Sequence, residues 1–257
     1  MENNLLVGLS RQMALSNELD IVANNIANVD TTGFKADNAA FSEYLKTNAR
    51  DGDFSGKDRR VSFVQDRATW TDMSPGALQR TGNPLDIAID GKGFLTVQTQ
   101  RGQRYTRNGA LTTNATGQLV TYDGDQVVGA AGPITFQTGD HDINITSTGI
   151  ITVRDTTGAE SPRGQLQIAN FDQPQRLQKD TGSMFAAPAG VNPAPQPANT
   201  RVVQGVIEKS NVQPIAQMAR MIEITRNYEE ISAILQQQSD QHRNSLQTLS
   251  QVPSSNS

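Results

Sequence analysis

A chain of 257 residues with a net charge of -4 and no cysteine has room for more than one module at about 100 to 200 residues per domain, and excludes disulfides, thiolate nucleophiles and cysteine-based zinc sites. No run of Lys or Arg makes the basic patch that would neutralise several phosphates, so nucleic acid is not an expected partner. The two histidines, His141 and His242, stand too far apart in sequence to suggest a metal cluster, and no cofactor or metal is expected.

The opening MENNLLVGLSRQMAL lacks the basic start, unbroken apolar core and small-residue cleavage site of a secretory signal. Nor does the chain hold 18 consecutive apolar residues, so no membrane insertion is expected. Residues 5–30 are predicted helical, because Leu15, Leu19, Val22, Ile26 and Val29 follow steps of four and three that keep one apolar stripe on one helix face. On spacing alone, that stripe serves a helical hairpin within the chain as well as it serves a seam with other molecules. Asn24, Asn25 and Asn28 flank it, where amides penalise wrong registers because a buried unpaired amide costs roughly 1 to 3 kcal/mol. Thr31, Thr32 and Gly33 are predicted to end the helix, with Gly33 in a left-handed turn and Phe34 folding back. Residues 36–80 are expected to be an extended connecting segment.

From about residue 76 to 164 the texture changes to short runs rich in β-branched residues. Asp90-Gly91, Asn108-Gly109, Asp123-Gly124 and Thr148-Gly149 are turn signals. Between and around them LDIAI, GFLTVQT, QLVTY, DINIT, IITVRD and GQLQIANF have the length and composition of strands. An all-β domain over residues 81–205 follows, carrying a Pro-rich loop at 186–200. Gly91-Lys92-Gly93 is a β-turn and not a phosphate loop, since a strand follows it where a helix would be needed. Asp86 and Asp90 are better explained by strand and turn structure than as a catalytic carboxylate pair.

In the last segment, residues 206–257, the helical period returns. Met221, Ile224, Tyr228, Ile231 and Leu235 step by three and four, and Gln238, His242, Leu246 and Leu249 continue the seam. Polar residues in such a seam weaken it but specify its register, the role expected of His242. Neither terminal helix shows a second apolar face. Both ends are therefore expected to gain their order on assembly. The fold class predicted is α+β, with two terminal helices that pair either with each other or with other molecules, and a mainly antiparallel β domain between them in sequence.

Two stretches carry a family likeness. ANNIANVDTTGFK near the start and EKSNVQPIAQMARMIEITRNYEE near the end together resemble the paired terminal signatures of the bacterial flagellar rod, hook and hook-associated protein family. TGNPLDIAIDGKGFLTV, RYTRNGALTTNATGQLVTYDGDQVVG and GPITF resemble that family's β domain, so the likeness covers most of the chain. Length and opening are most similar to subunits of the proximal rod, with the distal rod as the rival.

The resemblance implies a structural subunit of the basal-body rod in the periplasm, its two terminal helices packed together as a coiled coil. Such a subunit is passed unfolded through the flagellar type III export apparatus without a cleaved signal peptide, and its partners are other rod subunits and copies of itself. The implied assembly interface comprises Leu15, Leu19, Val22, Asn24, Asn25, Ile26, Asn28, Val29, Gly33 and Phe34 with Ser210, Asn211, Val212, Met221, Ile222, Ile224, Arg226, Tyr228, Glu229, Ile231 and Leu235. Arg220 and Arg226 with Glu223, Glu229 and Glu230 make a solvated face in a monomer and are expected to pair between subunits in a packed rod. A β-rich surface adhesin or carbohydrate-binding module with coiled-coil ends is the reading from another class, disfavoured by one Trp and 5% aromatic residues. No nucleophile-base set supports an enzyme.

Overall fold

The computed structural model describes residues 2–46, 61–156, 158–194 and 199–250. Parts of the connecting segment, the Pro-rich loop and the final helical segment, and the side chains of His242, Leu246 and Leu249, lie outside the described residues. In chain order the elements are α1 (Glu2–Ala27), β1 (Asp37–Lys46), β2 (Val61–Thr71), β3 (Leu78–Arg80), β4 (Ile87–Asp90), β5 (Phe94–Thr99), β6 (Gly102–Thr106), β7 (Leu111–Thr113), β8 (Leu119–Thr121) and β9 (Gln126–Gly129). Then follow β10 (Gly132–Pro133), β11 (His141–Ile145), β12 (Ile150–Arg154), β13 (Glu160–Gln165), β14 (Ile168–Ala169), β15 (Gln178–Lys179), β16 (Met184–Ala186), β17 (Arg201–Gln204), β18 (Val206–Glu208) and α2 (Pro214–Ser250). The α+β class is therefore present, with two long terminal helices and, from β3 onward, antiparallel ladders between them in sequence.

The chain forms two compact units. One is made by α1 up to Ile26, β1, β2 up to Trp70, and α2. Within it the helices run antiparallel: Asn25 Nδ2 donates to Gln217 Oε1 at 3.5 Å, Arg220 reaches Glu18 at 2.6 Å, and Gly8 lies against Leu235. As residue numbers fall along α1 they rise along α2, which is what a hairpin-like pair of chain ends requires. Ala14, Val22 and Asn25 on α1 and Ile224 on α2 are buried. Leu15, Leu19 and Ile26, and Ile231, Leu235 and Gln238, are half-buried beside them, so the α1 stripe faces inward as far as Ile26, whereas Met221 and Tyr228, read from sequence as members of the α2 stripe, are exposed. The strands β1 and β2 pair as a ribbon of their own.

The other unit is built from Ala27–Ala36 and Thr71–Gln213. Its nine-stranded sheet runs β15-β16-β6-β5-β9-β8-β7, with β10 on β9 and β14 on β5, beside a three-stranded β11-β12-β13 sheet and the pairs β17-β4 and β18-β3. The main core is aliphatic, led by Ile87, Leu95, Val97, Leu119, Val127 and Ile151. Phe94, Tyr105, Phe171 and Phe185 make a second, aromatic cluster of edge-to-face pairs with centroids 4.8 to 6.0 Å apart. Short β-branched strands suit these half-buried, pleated layers. Of the sequence turn signals, Asn108-Gly109 works differently from the others: a Cβ on Gly109 would stand 1.7 Å from Ile87 O, so that glycine admits a close backbone approach.

Two arginine-carboxylate pairs fasten the loops of this unit. Arg163 grips Asp140 through two bonds of 2.6 and 2.5 Å, and Arg104 Nε meets Asp180 at 2.7 Å. These hydrogen bonds hold both carboxyls below the usual carboxylate range. A lowered folded value means the contribution is complete above the unfolded value, near 3.9, and is lost as pH falls through the folded one. The urea midpoint of the wild-type chain is therefore expected to fall more steeply from about pH 5 to about pH 2.5 than that of Asp140→Asn. Equal slopes would exclude the Asp140 pair as a source of acid sensitivity.

Candidate functional site

The sequence-predicted interface residues fall into three places. The first is the inner face of the helix pair, where Val22 and Ile224 are buried and Leu15, Leu19, Ile26, Ile231 and Leu235 are half-buried. Asn25 belongs here too, and its role differs from the expected one. It is 1% exposed, and its amide donates to Asp37 O at 2.8 Å and accepts from Asp37 N at 3.0 Å. That side chain is consumed in holding the start of β1, and so cannot meet a neighbour. Asn24, on the same helix, is exposed. Arg220, expected between subunits, pairs within the chain with Glu18 and with Glu223 at 2.8 Å. Such half-exposed pairs orient more than they stabilise.

The second place is the outer face of α2. Ile215, Met218 and Ile222 repeat at i, i+3 and i+7 and are 85%, 53% and 56% exposed. Met221, Arg226, Tyr228 and Glu229 are exposed as well. This corrects the expectation that neither helix has a second apolar face. The two stripes share the helical period, so a search for the best single seam hides the weaker one.

The third place brings the two motif halves together. The helix predicted to run to Asp30 ends at Ala27, and Thr31 N and Oγ1 both bond back to Asn28. Val29 leaves the helical seam and packs instead on the cluster of Phe34, Ala36 and Val212. Gly33 adopts φ +70° as predicted, within a turn closed by Phe34 N on Thr31 O at 3.3 Å. It does not cap the helix: its N–H donates to Glu208 O at 2.7 Å. Asn211 then clamps the same segment, its N–H donating to Phe34 O, its Oδ1 accepting from Ala36 N at 2.7 Å and its Nδ2 donating to Asp72 O at 2.9 Å. Ser210 and Val212 are buried beside it, the Ser210 hydroxyl accepting from Val212 N.

Beneath this segment lies an ion cluster that sequence reasoning missed. Lys35 and Glu208 are each 1% exposed, and Lys35 Nζ donates to Glu208 Oε1 at 2.5 Å and to Ser74 O at 2.6 Å. Glu208 Oε1 also accepts from Gly76 N at 3.0 Å, and its Oε2 takes Arg107 Nη1 at 3.3 Å. Arg107 in turn donates to Ile89 O at 2.9 Å and Gly91 O at 2.7 Å. Burial pushes the Lys35 ammonium below its usual range, opposed by the Glu208 charge. Lys179 caps the segment from another side, with its Nζ 2.8 Å from Lys35 O and 3.7 Å from the centre of the Phe34 ring. The available signal was position: Lys35 and Glu208 are the charged residues at the inner margins of the two terminal motifs.

None of this is arranged for bond chemistry. Asp86 is buried and accepts from Asn83 Nδ2 at 3.0 Å, while Asp90 is exposed at the end of β4. Among the described residues no group of three His, Asp or Glu is placed to hold a metal, and no described helix is long and apolar enough to cross a membrane. What the geometry offers is adhesion: one helix face used within the chain, a second apolar face outside it, and, within the β-rich unit, a polar junction between the two motif halves.

Three family models match the chain. "Flagella basal body rod protein" covers residues 5–35, "Flagellar hook protein FlgE/F/G D1 domain" residues 88–153, and "Flagellar basal body rod FlgEFG protein C-terminal" residues 203–248. The chain is 36% identical over 254 residues to a protein of Caulobacter vibrioides named flagellar basal-body rod protein FlgF, covering 98% of this chain and 100% of that one. It is 33% identical over 250 residues to the flagellar basal-body rod protein FlgG of Agrobacterium fabrum, with 90% and 93% covered. The flagellar basal-body rod protein FlgF of Salmonella typhimurium is 32% identical over 238 residues, covering 89% and 91%.

Proposed function

We propose that this chain, which belongs to the family of flagellar basal-body rod and hook proteins represented by FlgE, FlgF and FlgG, is a subunit of the proximal segment of the rod. Family membership makes it a structural subunit and not an enzyme. The proposal includes export through the flagellar type III apparatus without a cleaved signal, helical assembly in the periplasm with copies of itself and other rod subunits, and full ordering of the helix pair on assembly.

The outer stripe of α2 is the observation that carries this reading. A helix pair that has satisfied its own seam needs another adhesive face to polymerise, and Ile215, Met218 and Ile222 supply it. The contact they make must be heterologous, since only a head-to-tail contact that does not close on itself extends a filament. The proximal position is supported by the full-length alignment with a relative named FlgF. The distal position is the second reading, favoured by the relative named FlgG at 33% identity.

Deletion of the gene followed by isolation of basal bodies tests both. Rods that stop within the proximal segment, leaving it incomplete, are expected; intact proximal rods missing only their distal part would transfer the chain to the second reading. Complementation with Ile222→Lys is expected to leave a folded protein, by limited proteolysis, that restores neither rods nor swimming. Normal swimming with that lysine would remove the outer stripe from the interface.

A further inference from the structure

The covalent leads to both terminal helices pass through the polar junction, since α1 ends at Ala27 and α2 begins at Pro214. The junction is constructed unlike the rest of its unit. Among the described residues, fourteen buried side chains make the main core and six the aromatic cluster, whereas the junction has Phe34, Ala36 and Val212. Local stability follows buried apolar contact, so this region belongs to the low end of the range within the unit. Arg107 Nε, buried without a hydrogen-bond partner, lowers it further.

Besides the Asn211 hydrogen bonds and the Lys179 ammonium, the junction is held by buried charge that converges on one carboxylate. Glu208 receives Lys35 from the N-terminal side, Gly76 N from the segment before β3, and Arg107 from the end of β6. Its own strand, β18, pairs only with β3, in a ladder separate from the nine-stranded sheet (Val206 with Arg80, Ile207 with Gln79, Glu208 with Leu78). Arg107 has two further acceptors, Ile89 O and Gly91 O, that Lys35 does not touch. Lys35 is therefore the removable member of the cluster.

We infer that residues 33–36, 74–80 and 206–212 form a charge-locked clasp that opens and closes as one unit while the nine-stranded sheet stays folded, with Lys35 as its key. Displacing the lead to one terminal helix then loosens the lead to the other, although the two lie 173 positions apart at the ion pair. This holds for either position in a rod.

Hydrogen-deuterium exchange on the full-length chain tests it, with Lys35→Met, Lys35→Arg and Lys179→Met compared to wild type. In Lys35→Met, peptides covering 33–36, 74–80 and 206–212 are expected to exchange at least about tenfold faster and by a common factor, with those covering 94–99 and 119–129 unchanged. Lys35→Arg, which keeps the charge, is expected to recover part of that protection. Lys179→Met, which leaves the buried ion pair in place, should loosen the same three segments less. Unchanged exchange at 206–212 when Lys35 is lost would overturn the inference. Loss of protection in the sheet peptides as well, including outright failure to fold, would equally show that no separable clasp exists.

Discussion

Gly33→Ala is expected to lower the stability of the β-rich unit by at least about 3 kcal/mol, among the larger effects a single methyl group can have. Two causes add. At φ +70° an L-residue costs roughly 1 to 2 kcal/mol. The new Cβ would also stand 2.3 Å from Asn108 N and 2.4 Å from Arg107 C, closer than real Cβ atoms approach non-bonded atoms. Those atoms belong to backbone that cannot easily retreat, because the Arg107 guanidinium is tied to Ile89 O and Gly91 O and Asn108 N donates to the Thr106 hydroxyl. Gly82→Ala is the matched control, since Gly82 has φ +75° but open space around it. Urea denaturation of both variants separates the causes. A Gly33→Ala loss no larger than that of Gly82→Ala would show that the close approach to residues 107–108 carries no energy.

Val22→Asp is expected to abolish swimming while the β-rich unit keeps its wild-type unfolding midpoint. Val22 is 4% exposed on the inner face of α1, and no buried cation among the described residues of that helix waits for a carboxylate there. Burying an unpaired carboxylate costs several kcal/mol, more than a helix pair with so few fully buried residues can offset. Leu235→Asp should act the same way from the other helix, because Leu235 lies against Gly8 where there is no side chain to yield. Ala23→Asp, at an exposed position one residue along α1, is the control that should swim. Motility in soft agar together with limited proteolysis of the purified chains reads both halves of the expectation. Normal swimming by Val22→Asp would mean that the inner seam is dispensable for the polymer.

The parts of this fold legible beforehand are those in which neighbours in sequence are neighbours in space. Most of the inner seam followed from steps of three and four, although Met221 and Tyr228 keep the step and are exposed, and strands such as LDIAI and GFLTVQT followed from short β-branched runs between turns. Failures occurred where a residue answers to something distant. Asn25 has the sequence look of a surface amide, and it is buried because the backbone of Asp37 folds back onto it. Val29 keeps the helical spacing, but the helix has already ended and Phe34 claims it. Arg220 lies on a charged stretch that promised contacts outside the chain, and Glu18 reaches it from the opposite end of the sequence.

The sequence by itself determined the two helical ends, the β-rich middle, the lack of cysteine chemistry and, through its terminal motifs, the family. Periodicity and turn chemistry act over a few residues and can be read directly. Only the tertiary structure decided which stripe of α2 is spent inside the chain and which is left outside, and that Lys35 and Glu208 meet. A lysine and a glutamate are solvated by default, and apart from their places at the inner margins of the two terminal motifs nothing in the local sequence signals otherwise. Their pairing exists because antiparallel ladders and a left-handed glycine bring two remote segments into one dry place, where a charge without its partner would be too costly to keep.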